Sequence, residues 1–339
     1  MSRLLHVLPH PGGGGESVVR VLENSLSEHQ HARLYLSTQR EPLRSLPSLS
    51  TGIPRTLRAA RRADLVHVVG DMSAVLMIPA LQRRRSLFGT HGLHMLRRGP
   101  APARSIIRAV VAAADRTVCS SESERVELAS LLDSDLQPRL VAVPNGIALH
   151  PLPSPDERAA AREALELAPD AVVGLSMGQL EPRKEPLLAV EAAAAVARQG
   201  VPFVLLVAGD GPLIDQVRGE GVRALGFRED TELLLAAADI FILPSSREGL
   251  ALALLEAMGH GLACVVSDVP GNREAVGDAG LVHPVGDVDA LAAALARLAS
   301  DPVERERLGA AARARVEERF TSTRFVSDMR RVIGEVLTA

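Results

Sequence analysis

The feature that most constrains the fold is the stretch DIFILPSSREGLALALLEAMGHGLACVVSD, residues 239–268. It begins with an apolar run, 240–243, that a proline ends, and it closes with a second apolar run, 264–266, that Ser-Asp ends. Both runs predict buried strands. The segment between them, 250–258, contains only Leu, Ala, Glu and Met, with no β-branched residue, and therefore predicts a helix. The order strand, loop, helix, strand is typical of an α/β sheet.

The start of this predicted helix offers a site for an anion. Ser245, Ser246 and Gly249 precede it, where unpaired backbone N–H groups and the positive end of the helix dipole favour a phosphate. Glu248 and Glu256 bracket the helix and would stand roughly 12 Å apart along its axis. That separation is too large for a paired acid and base on one bond, and it suits two hydroxyl-rich groups joined by a phosphate bridge. In the alternative reading, Glu248 is a helix-start acid and Glu256 lies on a solvated face.

The run EGLALALLEAMGHG resembles the E-x7-E signature of retaining glycosyltransferases of family four, and the resemblance extends over nearly the whole chain. It implies the GT-B fold, an α/β architecture of two Rossmann-like, doubly wound parallel-sheet domains facing each other across a cleft that binds a nucleotide-sugar. It also implies that Glu248 holds sugar hydroxyls and that Glu256 holds the ribose. The residues expected to face the donor between these two carboxylates are Gly249, Leu250, Ala251 and Leu252. The family usually carries glycine at the position of Ala251. We therefore expect the methyl group of Ala251 to leave less room for the donor phosphate.

Two segments of the first half resemble the same family. The first predicted strand runs through HPGGGGES into a helix, as in the opening unit of a doubly wound domain. Gly13, Gly14 and Glu16 match a GG-x-E segment that in the family lies near the donor phosphates and the acceptor. A strand at 86–90 delivers His91, within FGTHG, to the sheet edge where α/β ligands bind, and the resemblance implies that this histidine reaches the transferred sugar. A flexible glycine loop and a structural histidine are the alternative readings.

The second half contains the only lysine of the chain, Lys184, among 38 Lys plus Arg residues. A sole ammonium in an arginine-rich chain predicts a place that needs a compact point charge. Lys184 lies in GQLEPRKEP, which resembles the family's G-R-L-x-x-x-K segment, whose Arg and Lys bind the donor diphosphate. Gln179 stands where the family has Arg, and we expect Arg183 to compensate in part. The turn at Gly226 and Phe227 resembles one that passes near the base in the family.

Length and composition predict two domains. A chain of 339 residues with 47% apolar content can bury two cores of ordinary size. The proline-rich run HPLPSPDE marks a boundary. We expect an acceptor-side domain at 1–150, a nucleotide-sugar-binding domain at 151–320, and a C-terminal helix at 321–339 that crosses back to the first domain. The segment 36–58 is rich in Ser, Thr and Pro and predicts mainly loop.

Charge and hydropathy bear on partners and location. Residues 1–150 carry 19 Arg and 12 acidic residues, a net charge of +7, whereas residues 151–339 carry 19 Lys plus Arg and 29 acidic residues, a net charge of −10. The basic half would suit peripheral contact with anionic lipid at the inner membrane face, although solvated helix faces are the simpler reading. No apolar run approaches 18 residues, and LLHVL is too short for a signal-peptide core, so we expect a cytoplasmic protein.

Two further expectations concern cysteines and nucleic acid. Cys119 and Cys264 each lie in or beside a predicted strand, and two cysteines in so long a chain predict buried thiols rather than a disulfide or a metal site. A single tyrosine and the absence of tryptophan argue against base stacking, so no nucleic-acid partner is expected.

The resemblance implies transfer of a glycosyl group, with retention, from a nucleoside-diphosphate sugar to an acceptor hydroxyl. UDP or GDP is the expected nucleotide, and the acceptor is expected to be a small natural product or a lipid-linked sugar. Lys184, Arg183 and the helix start would stabilise the charge that accumulates on the diphosphate, without a metal or another cofactor. Glu248 and His91 would hold the transferred sugar.

Three alternatives remain open from the sequence. A metal-dependent transferase would use a D-x-D motif, and DSD at 133–135 and DVD at 287–289 are candidates, although both are expected to end or cap helices. A nucleotide-sugar dehydrogenase or epimerase needs the dinucleotide-binding motif G-x-G-x-x-G, and the glycines of HPGGGGES do not match it. A non-catalytic relative that binds a nucleotide-sugar fits the departures at Gln179 and Ala251.

Overall fold

A computed structural model of the chain describes residues 1–38, 46–90 and 101–339. The described chain forms two compact units. The first unit comprises Met1–Asn145 and Ser322–Ala339, and the second unit comprises Gly146–Thr321. Each unit is built on one six-stranded sheet in which every strand pair is parallel. The predicted architecture of two Rossmann-like, doubly wound sheets is confirmed.

The sheet of the first unit has the strand order β2-β1-β3-β4-β5-β6. Its strands are β1 (Arg3–Leu8), β2 (Gln30–Tyr35), β3 (Leu65–Val69), β4 (Ser86–Gly89), β5 (Arg116–Cys119) and β6 (Leu140–Ala142). The helices between them are α1 (Gly14–Ser25), α2 (Leu46–Ala60), α3 (Asp71–Leu76), α4 (Ile78–Leu81), α5 (Ala101–Ala113) and α6 (Glu122–Ser130), and a short 3-10 turn spans Gln137–Arg139. The order reverses between β1 and β3, because the chain moves outward to β2 before it crosses to β3.

Two predictions for the first unit were wrong. The segment 36–58 contains helix α2, because Leu49, Ile53 and Leu57 recur at helical spacing and pack against the core. This apolar stripe overrides the local Ser and Pro signals. The run MSAVLMIPALQRRR, residues 72–85, predicts a single helix, but the structure has two short helices, α3 and α4, which are separated at Met77. Pro79 explains the break, since proline has no N–H to donate to the preceding turn.

The sheet of the second unit has the strand order β12-β11-β10-β7-β8-β9. Its strands are β7 (Val172–Met177), β8 (Phe203–Ala208), β9 (Val222–Gly226), β10 (Ile240–Leu243), β11 (Ala263–Ser267) and β12 (Gly280–His283). Its helices are α7 (Pro155–Ala164), α8 (Pro186–Ala197), α9 (Thr231–Ala237), α10 (Leu252–Gly259), α11 (Pro270–Val276), α12 (Val288–Ser300) and α13 (Pro302–Arg319). Two 3-10 turns span Pro182–Lys184 and Ile214–Gln216.

The last helix, α14 (Ser322–Thr338), belongs to the first unit. It packs against α1, and Nε of Arg330 lies 2.7 Å from the Glu28 carboxylate in the turn after α1. Its apolar side, which includes Phe325, Met329 and Ile333, is buried. Apolar residues spaced three to four positions apart place one stripe of the helix against the core.

The packing of strand β10 explains why residues 240–243 are all apolar. Phe241 and Leu243 pack into one hydrophobic cluster of the second unit, while Ile240 and Ile242 pack into the other. Alternate residues of a strand point to opposite faces of the sheet, and helices cover both faces of a doubly wound sheet. Every position of such a strand is therefore buried, as it is in β7, β10 and β11, and β10 reads as a continuous apolar run.

Both cysteines are buried free thiols, as predicted. Cys119 ends β5 and Cys264 lies in β11, and burial raises the pKa of each thiol above its ordinary value. Within the described parts of the chain, no helix has the length and apolar content that crossing a membrane requires.

Candidate active site

The strand order of the second unit reverses between β7 and β10. From β7 the chain moves outward to β8 and β9, and then returns to β10 on the other side of β7. In open parallel sheets, ligands bind beyond the carboxyl ends of the strands at such a reversal, because the connections diverge there and leave a crevice. The loops that follow these two strands, residues 178–185 and 244–251, therefore form the candidate site.

These two loops bring the predicted charged residues into contact. Nζ of Lys184 lies 2.7 Å from Oε1 of Glu248, and a guanidinium nitrogen of Arg183 lies 3.7 Å from the other oxygen of that carboxylate. The side chain of Glu248 is only 6% exposed, and that of Lys184 is 20% exposed. The sole lysine of the chain thus meets a nearly buried carboxylate at the reversal point.

Backbone hydrogen bonds hold the two loops together. The Ser246 N–H donates to the carbonyl oxygen of Arg183 at 2.9 Å, and the Ser246 hydroxyl donates to the same oxygen at 3.1 Å. In return, the Arg183 guanidinium donates to the carbonyl oxygen of Arg247 at 3.3 Å and pairs with Glu181 at 2.5 Å. The turn that carries both cations is therefore fixed to the loop that carries Glu248. Nothing in the sequence signalled the part played by Glu181.

The charge state of Glu248 follows from these contacts. Burial alone raises the pKa of the Glu248 carboxyl, but the positive charges of Lys184 and Arg183 outweigh burial and hold the pKa below its usual value. Glu248 is therefore an ionised, buried acceptor. Glu248 accepts a hydrogen bond from the Lys184 ammonium. It thereby holds this ammonium, with its three N–H donors, at the edge of the sheet.

Helix α10 begins two residues later than the sequence predicts, at Leu252 instead of Leu250. The preceding residue, Ala251, has an extended backbone conformation, and the loop before it is hydrogen-bonded to the Arg183 turn through Ser246 and Arg247. Glu248 consequently lies outside the helix, and the estimate of 12 Å along a helix axis between Glu248 and Glu256 does not apply. The N-cap residue is Ala251, whose side chain makes no cap hydrogen bond. The first N–H groups of α10 therefore have no side-chain acceptor from the cap and remain suited to an anion.

Glu256 lies in α10 and is half-buried. Burial, and then repulsion by Glu232, raise the pKa of the Glu256 carboxyl, although His260 opposes this. His260 itself lies 2.8 Å from Glu232. A carboxyl that loses part of its hydration in this way can recover hydrogen bonds from the hydroxyls of a ligand.

The other predicted residues of the second unit follow the same edge of the sheet. Gln179 lies two residues after the end of β7 and is half-buried. Gly226 ends β9 with φ +67°, and its carbonyl oxygen accepts a 2.7 Å hydrogen bond from the Gly209 N–H. Phe227 follows and is 67% exposed. A large aromatic side chain open to solvent at this edge is available to stack on a planar ligand.

Gly271, in α11, lies directly against the backbone of the loop after β10. A Cβ atom at Gly271 would lie 1.8 Å from the carbonyl oxygen of Gly249 and 2.9 Å from that of Glu248. The start of α11 therefore touches the loop backbone directly, and only glycine fits. The buried residues Leu250 and Ala251 continue this packing toward α10. The loop that carries Glu248 thus contacts α11 as well as the turn that carries Arg183.

In the first unit, the predicted glycine loop lies at the reversal between β1 and β3. Gly13 is the N-cap of α1, with φ +84°, and Gly14 is the first helical residue; both are exposed. Glu16 is buried and pairs with Arg20 and Arg33, each at 2.7 Å. Burial raises the pKa of Glu16, but hydrogen bonds from the Gly12 N–H, Arg20 and Tyr35 outweigh it and lower the pKa to about 2. Glu16 therefore anchors the glycine loop.

Two groups of predicted residues need separate mention. His91 lies outside the residues that the structure describes. Of the two D-x-D motifs, the second caps a helix as predicted, since Asp287 accepts a hydrogen bond from the Ala290 N–H at 2.9 Å. In the first motif, Asp133 lies after the end of α6 and pairs with Arg108. Among residues 1–38, 46–90 and 101–339, no three His, Cys, Asp or Glu side chains are grouped so that they could hold a metal ion.

Two family models match the chain, one in each half. The model described as Glycosyltransferase Family 4 matches residues 6–150. The model described as Glycosyl transferases group 1 matches residues 171–301, which include both loops of the candidate site. The two matches together cover most of the chain.

Curated relatives are similar over part of their length. The chain is 31% identical over 179 residues to the UDP-Gal:alpha-D-GlcNAc-diphosphoundecaprenol alpha-1,3-galactosyltransferase of Escherichia coli, an alignment that covers 49% of this chain and 46% of that protein. It is 33% identical over 264 residues to a D-inositol 3-phosphate glycosyltransferase of Saccharomonospora viridis, covering 71% of this chain and 60% of that protein. The chain therefore spans about half the length of the curated relatives that it matches.

A solved structure is similar over the full length. The crystal structure of HepE from Anabaena in complex with UDP-glucose aligns with a TM-score of 0.84 and 18% identity, over 99% of this chain and 100% of that chain. At this identity the likeness establishes the fold alone. The segments matched in both halves of the chain are thus similar to glycosyltransferase domains, and the fold is that of the GT-B glycosyltransferases.

Proposed function

We propose that the protein transfers a glycosyl group from a nucleoside-diphosphate sugar to an acceptor hydroxyl, with retention at the anomeric carbon and without a metal ion. The observation that carries this proposal is the meeting of Lys184 and Arg183 with Glu248 at the reversal point of the second sheet. Fixed positive charge is placed there beside the uncapped start of α10. This combination suits a diphosphate leaving group.

The proposed chemistry assigns each side chain one task. As the bond between the anomeric carbon and the diphosphate breaks, negative charge accumulates on the diphosphate, while a bond forms to the acceptor oxygen and the proton of that hydroxyl passes to the leaving diphosphate. Lys184, Arg183 and the first N–H groups of α10 stabilise that charge more in the transition state than in the ground state. Glu248 holds Lys184 in place and accepts hydrogen bonds from the hydroxyls of the transferred sugar.

The remaining contacts are proposed from the family resemblance and from position along the sheet edge. Glu256 binds the ribose, and the turn at Gly226 and Phe227 lies near the base. Gln179 and the backbone from Gly249 to Leu252 face the diphosphate. The first unit contributes Gly13 and Gly14 near the phosphates and acceptor, together with His91 near the sugar.

UDP is the nucleotide that we propose. The E. coli relative is described as using UDP-Gal, and the HepE structure contains UDP-glucose. The proposed acceptor is a compound with a free hydroxyl group. The relatives act on a lipid-linked sugar and on an inositol phosphate according to their names.

Calorimetric titration tests the proposal. UDP, GDP, ADP and dTDP are added separately to the protein in the presence of a chelator, and UDP is expected to bind with micromolar affinity. The variant Lys184→Ala is expected to bind UDP more weakly, while Arg198→Ala, which removes an exposed cation just after α8, serves as the matched control. Binding that appears only when Mg²⁺ or Mn²⁺ is restored would contradict the metal-independent part of the proposal.

Turnover distinguishes an enzyme from a binding protein. Gln179 and Ala251 depart from the family pattern, and a non-catalytic relative would bind UDP-sugar without releasing UDP. We expect release of UDP when the donor and an acceptor are supplied. The anomeric configuration of the product, read by NMR, then tests retention, and an inverted product would refute that part.

A further inference from the structure

Glu185 adopts a backbone conformation that only glycine adopts without strain. Its φ is +49° and its ψ is +47°, in the left-handed region. Among the described residues, only Glu166 and Glu185 combine a side chain with positive φ. The following residue is Pro186, which further restricts the conformations that Glu185 can adopt. Strain of this kind persists only where surrounding contacts enforce it.

The strained residue joins two elements of the candidate site. Its N–H donates to the carbonyl oxygen of Pro182 at 3.2 Å, which closes the 3-10 turn that carries Arg183 and Lys184. Its carbonyl oxygen accepts from the Leu188 N–H at 3.1 Å, in the first turn of α8. The positive φ thus redirects the chain from the turn into the helix within one residue. A glycine would do this without strain, so the choice of glutamate needs another reason.

The carboxyl of Glu185 supplies that reason. The side chain is half-buried and forms a hydrogen bond with the Ser246 side chain, on the loop that leads to Glu248. Burial raises the pKa of the Glu185 carboxyl, and the Ser246 hydrogen bond partly opposes this. The Ser246 N–H donates to the carbonyl oxygen of Arg183, and the single proton of the Ser246 hydroxyl is shared between that oxygen and the Glu185 carboxylate. Arg183 and Glu185, which flank Lys184 in the sequence, therefore both form hydrogen bonds with Ser246.

We propose that Glu185 is a positioning residue for Lys184. Its left-handed backbone sets the direction of the turn, and its carboxyl clamps that turn to Ser246, so that the Lys184 ammonium meets Glu248. The statement about position rests on the backbone geometry of Glu185 and on its contact with Ser246, while its consequence for nucleotide binding rests on the proposed function.

The sole lysine makes a direct test possible. In protein labelled with ¹⁵N-lysine, the side-chain ammonium signal reports on Lys184 alone. In Glu185→Gly, we expect this signal to move toward the position of free lysine and its protons to exchange faster with water. UDP affinity is expected to fall roughly tenfold to a hundredfold, as small displacements of site groups typically cause. The midpoint of thermal unfolding is expected to stay at or above that of the wild type, because glycine adopts this φ freely.

Glu166→Gly is the matched control. Glu166 has φ +51°, is exposed and follows α7, away from the two loops of the site. Glycine there relieves the same kind of strain, so the unfolding midpoint is expected to hold or rise while the Lys184 signal and the UDP affinity stay unchanged. An unchanged Lys184 signal in Glu185→Gly, whatever the stability of the variant, would overturn the proposal.

A second variant covers the case in which Glu185→Gly does not fold. Glu185→Ala keeps the Cβ atom and removes the carboxyl that accepts from Ser246, and we expect a smaller shift of the Lys184 signal in the same direction. An unchanged signal in this variant would also overturn the proposal. If the wild-type protein binds no UDP, the proposed function is wrong, yet the Lys184 signal still decides whether Glu185 positions the lysine.

Discussion

The ammonium of Lys184 lies 2.7 Å from a carboxylate that is 6% exposed, so replacing this lysine has two separable effects. Lys184→Ala removes positive charge where the diphosphate is proposed to leave. We expect turnover to fall by about 10²- to 10³-fold, the usual loss when one preorganised electrostatic donor is removed. Steady-state kinetics with a UDP-sugar measure this, with Arg198→Ala as control, and turnover near that of the wild type would refute the role of Lys184.

The second effect concerns stability and pH. The pKa of Glu248 in the folded protein lies below its ordinary value of 4.5, because of Lys184 and Arg183. Its ionised form therefore stabilises the fold above that ordinary pKa, and this contribution is lost as pH falls through the folded pKa. Lys184→Ala leaves Glu248 buried beside Arg183 alone. We expect the difference in unfolding free energy between wild type and variant to shrink below about pH 4.5, as measured by denaturant unfolding. A difference that stays constant with pH would contradict the ion pair.

At the scale of elements, the loop after β10 depends on the close approach of α11. In Gly271→Ala, the new Cβ would meet the carbonyl oxygen of Gly249 at 1.8 Å, so the helix and the loop must move apart. We expect a loss of stability of about 1–3 kcal/mol, typical of overpacking, together with weaker UDP binding. The control is Gly334→Ala in α14, where a Cβ meets nothing within 4 Å. There the better helix propensity of alanine is expected to add about 0.5–1 kcal/mol.

Three neighbouring strands of the first unit share a buried chain of histidines. Nδ1 of His67 on β3 lies 3.0 Å from Nδ1 of His6 on β1, Nε2 of His6 lies 3.0 Å from Nδ1 of His31 on β2, and Nε2 of His31 lies 2.9 Å from the carbonyl oxygen of Leu26. A carbonyl only accepts, so His31 donates to it. If all three rings are neutral, His6 must then donate to His31 and His67 to His6. One direction of donation satisfies every bond.

Protonation of a second nitrogen on His6 leaves this ring without an acceptor for the His67 hydrogen bond. The stability of the first unit is therefore expected to depend on pH. Burial, and then the positive charges that His67, His31 and Arg33 can carry, lower the pKa of His6 well below 6.5. The neutral chain therefore stabilises the fold above about pH 6.5, and that stability is lost as pH falls below this value. We expect His6→Gln to be less stable at pH 7.5 and to show a smaller change in unfolding free energy between pH 7 and 5.

The matched control for the histidine chain is His150→Gln, since His150 is exposed. This variant is expected to keep the pH dependence of the wild type in thermal unfolding experiments. Equal pH dependence in His6→Gln and in the wild type would show that the buried chain does not titrate with folding. Long-range ¹⁵N NMR of the rings tests the assigned tautomers independently, because it distinguishes protonated from unprotonated ring nitrogens.

At the scale of the whole molecule, nucleotide binding is expected to act on the second unit, which holds the Lys184 cluster. A ligand that binds only the folded state stabilises it by about 2.7 kcal/mol at a concentration one hundred times its dissociation constant. We expect UDP, and not uridine, to raise the temperature at which this unit unfolds in calorimetry, because uridine lacks the diphosphate. Lys184→Ala is expected to weaken the effect. A shift of equal size with uridine would show that the base rather than the diphosphate is bound.

The sequence alone determined the class of fold and the main charged residues of the candidate site. Continuous apolar runs such as β10 are buried on both faces, so local composition identified them. Lys184 stood out because no other lysine occurs in the chain. Helix α2 was missed, since its Ser and Pro residues favour loop locally and only packing of Leu49, Ile53 and Leu57 against the core stabilises it.

Only the tertiary structure decided how the site is assembled. Lys184 and Glu248 are 64 residues apart in sequence, and parallel pairing of β7 with β10 brings their loops together. The loop before α10 is held by the Ser246 contact with Arg183, and α10 begins at Leu252 although helix propensity extends to Leu250. The strained turn at Glu185 and the contact at Gly271 likewise depend on neighbours that are distant in sequence. Local patterns report on burial and propensity, whereas such contacts arise only when separate strands are packed side by side.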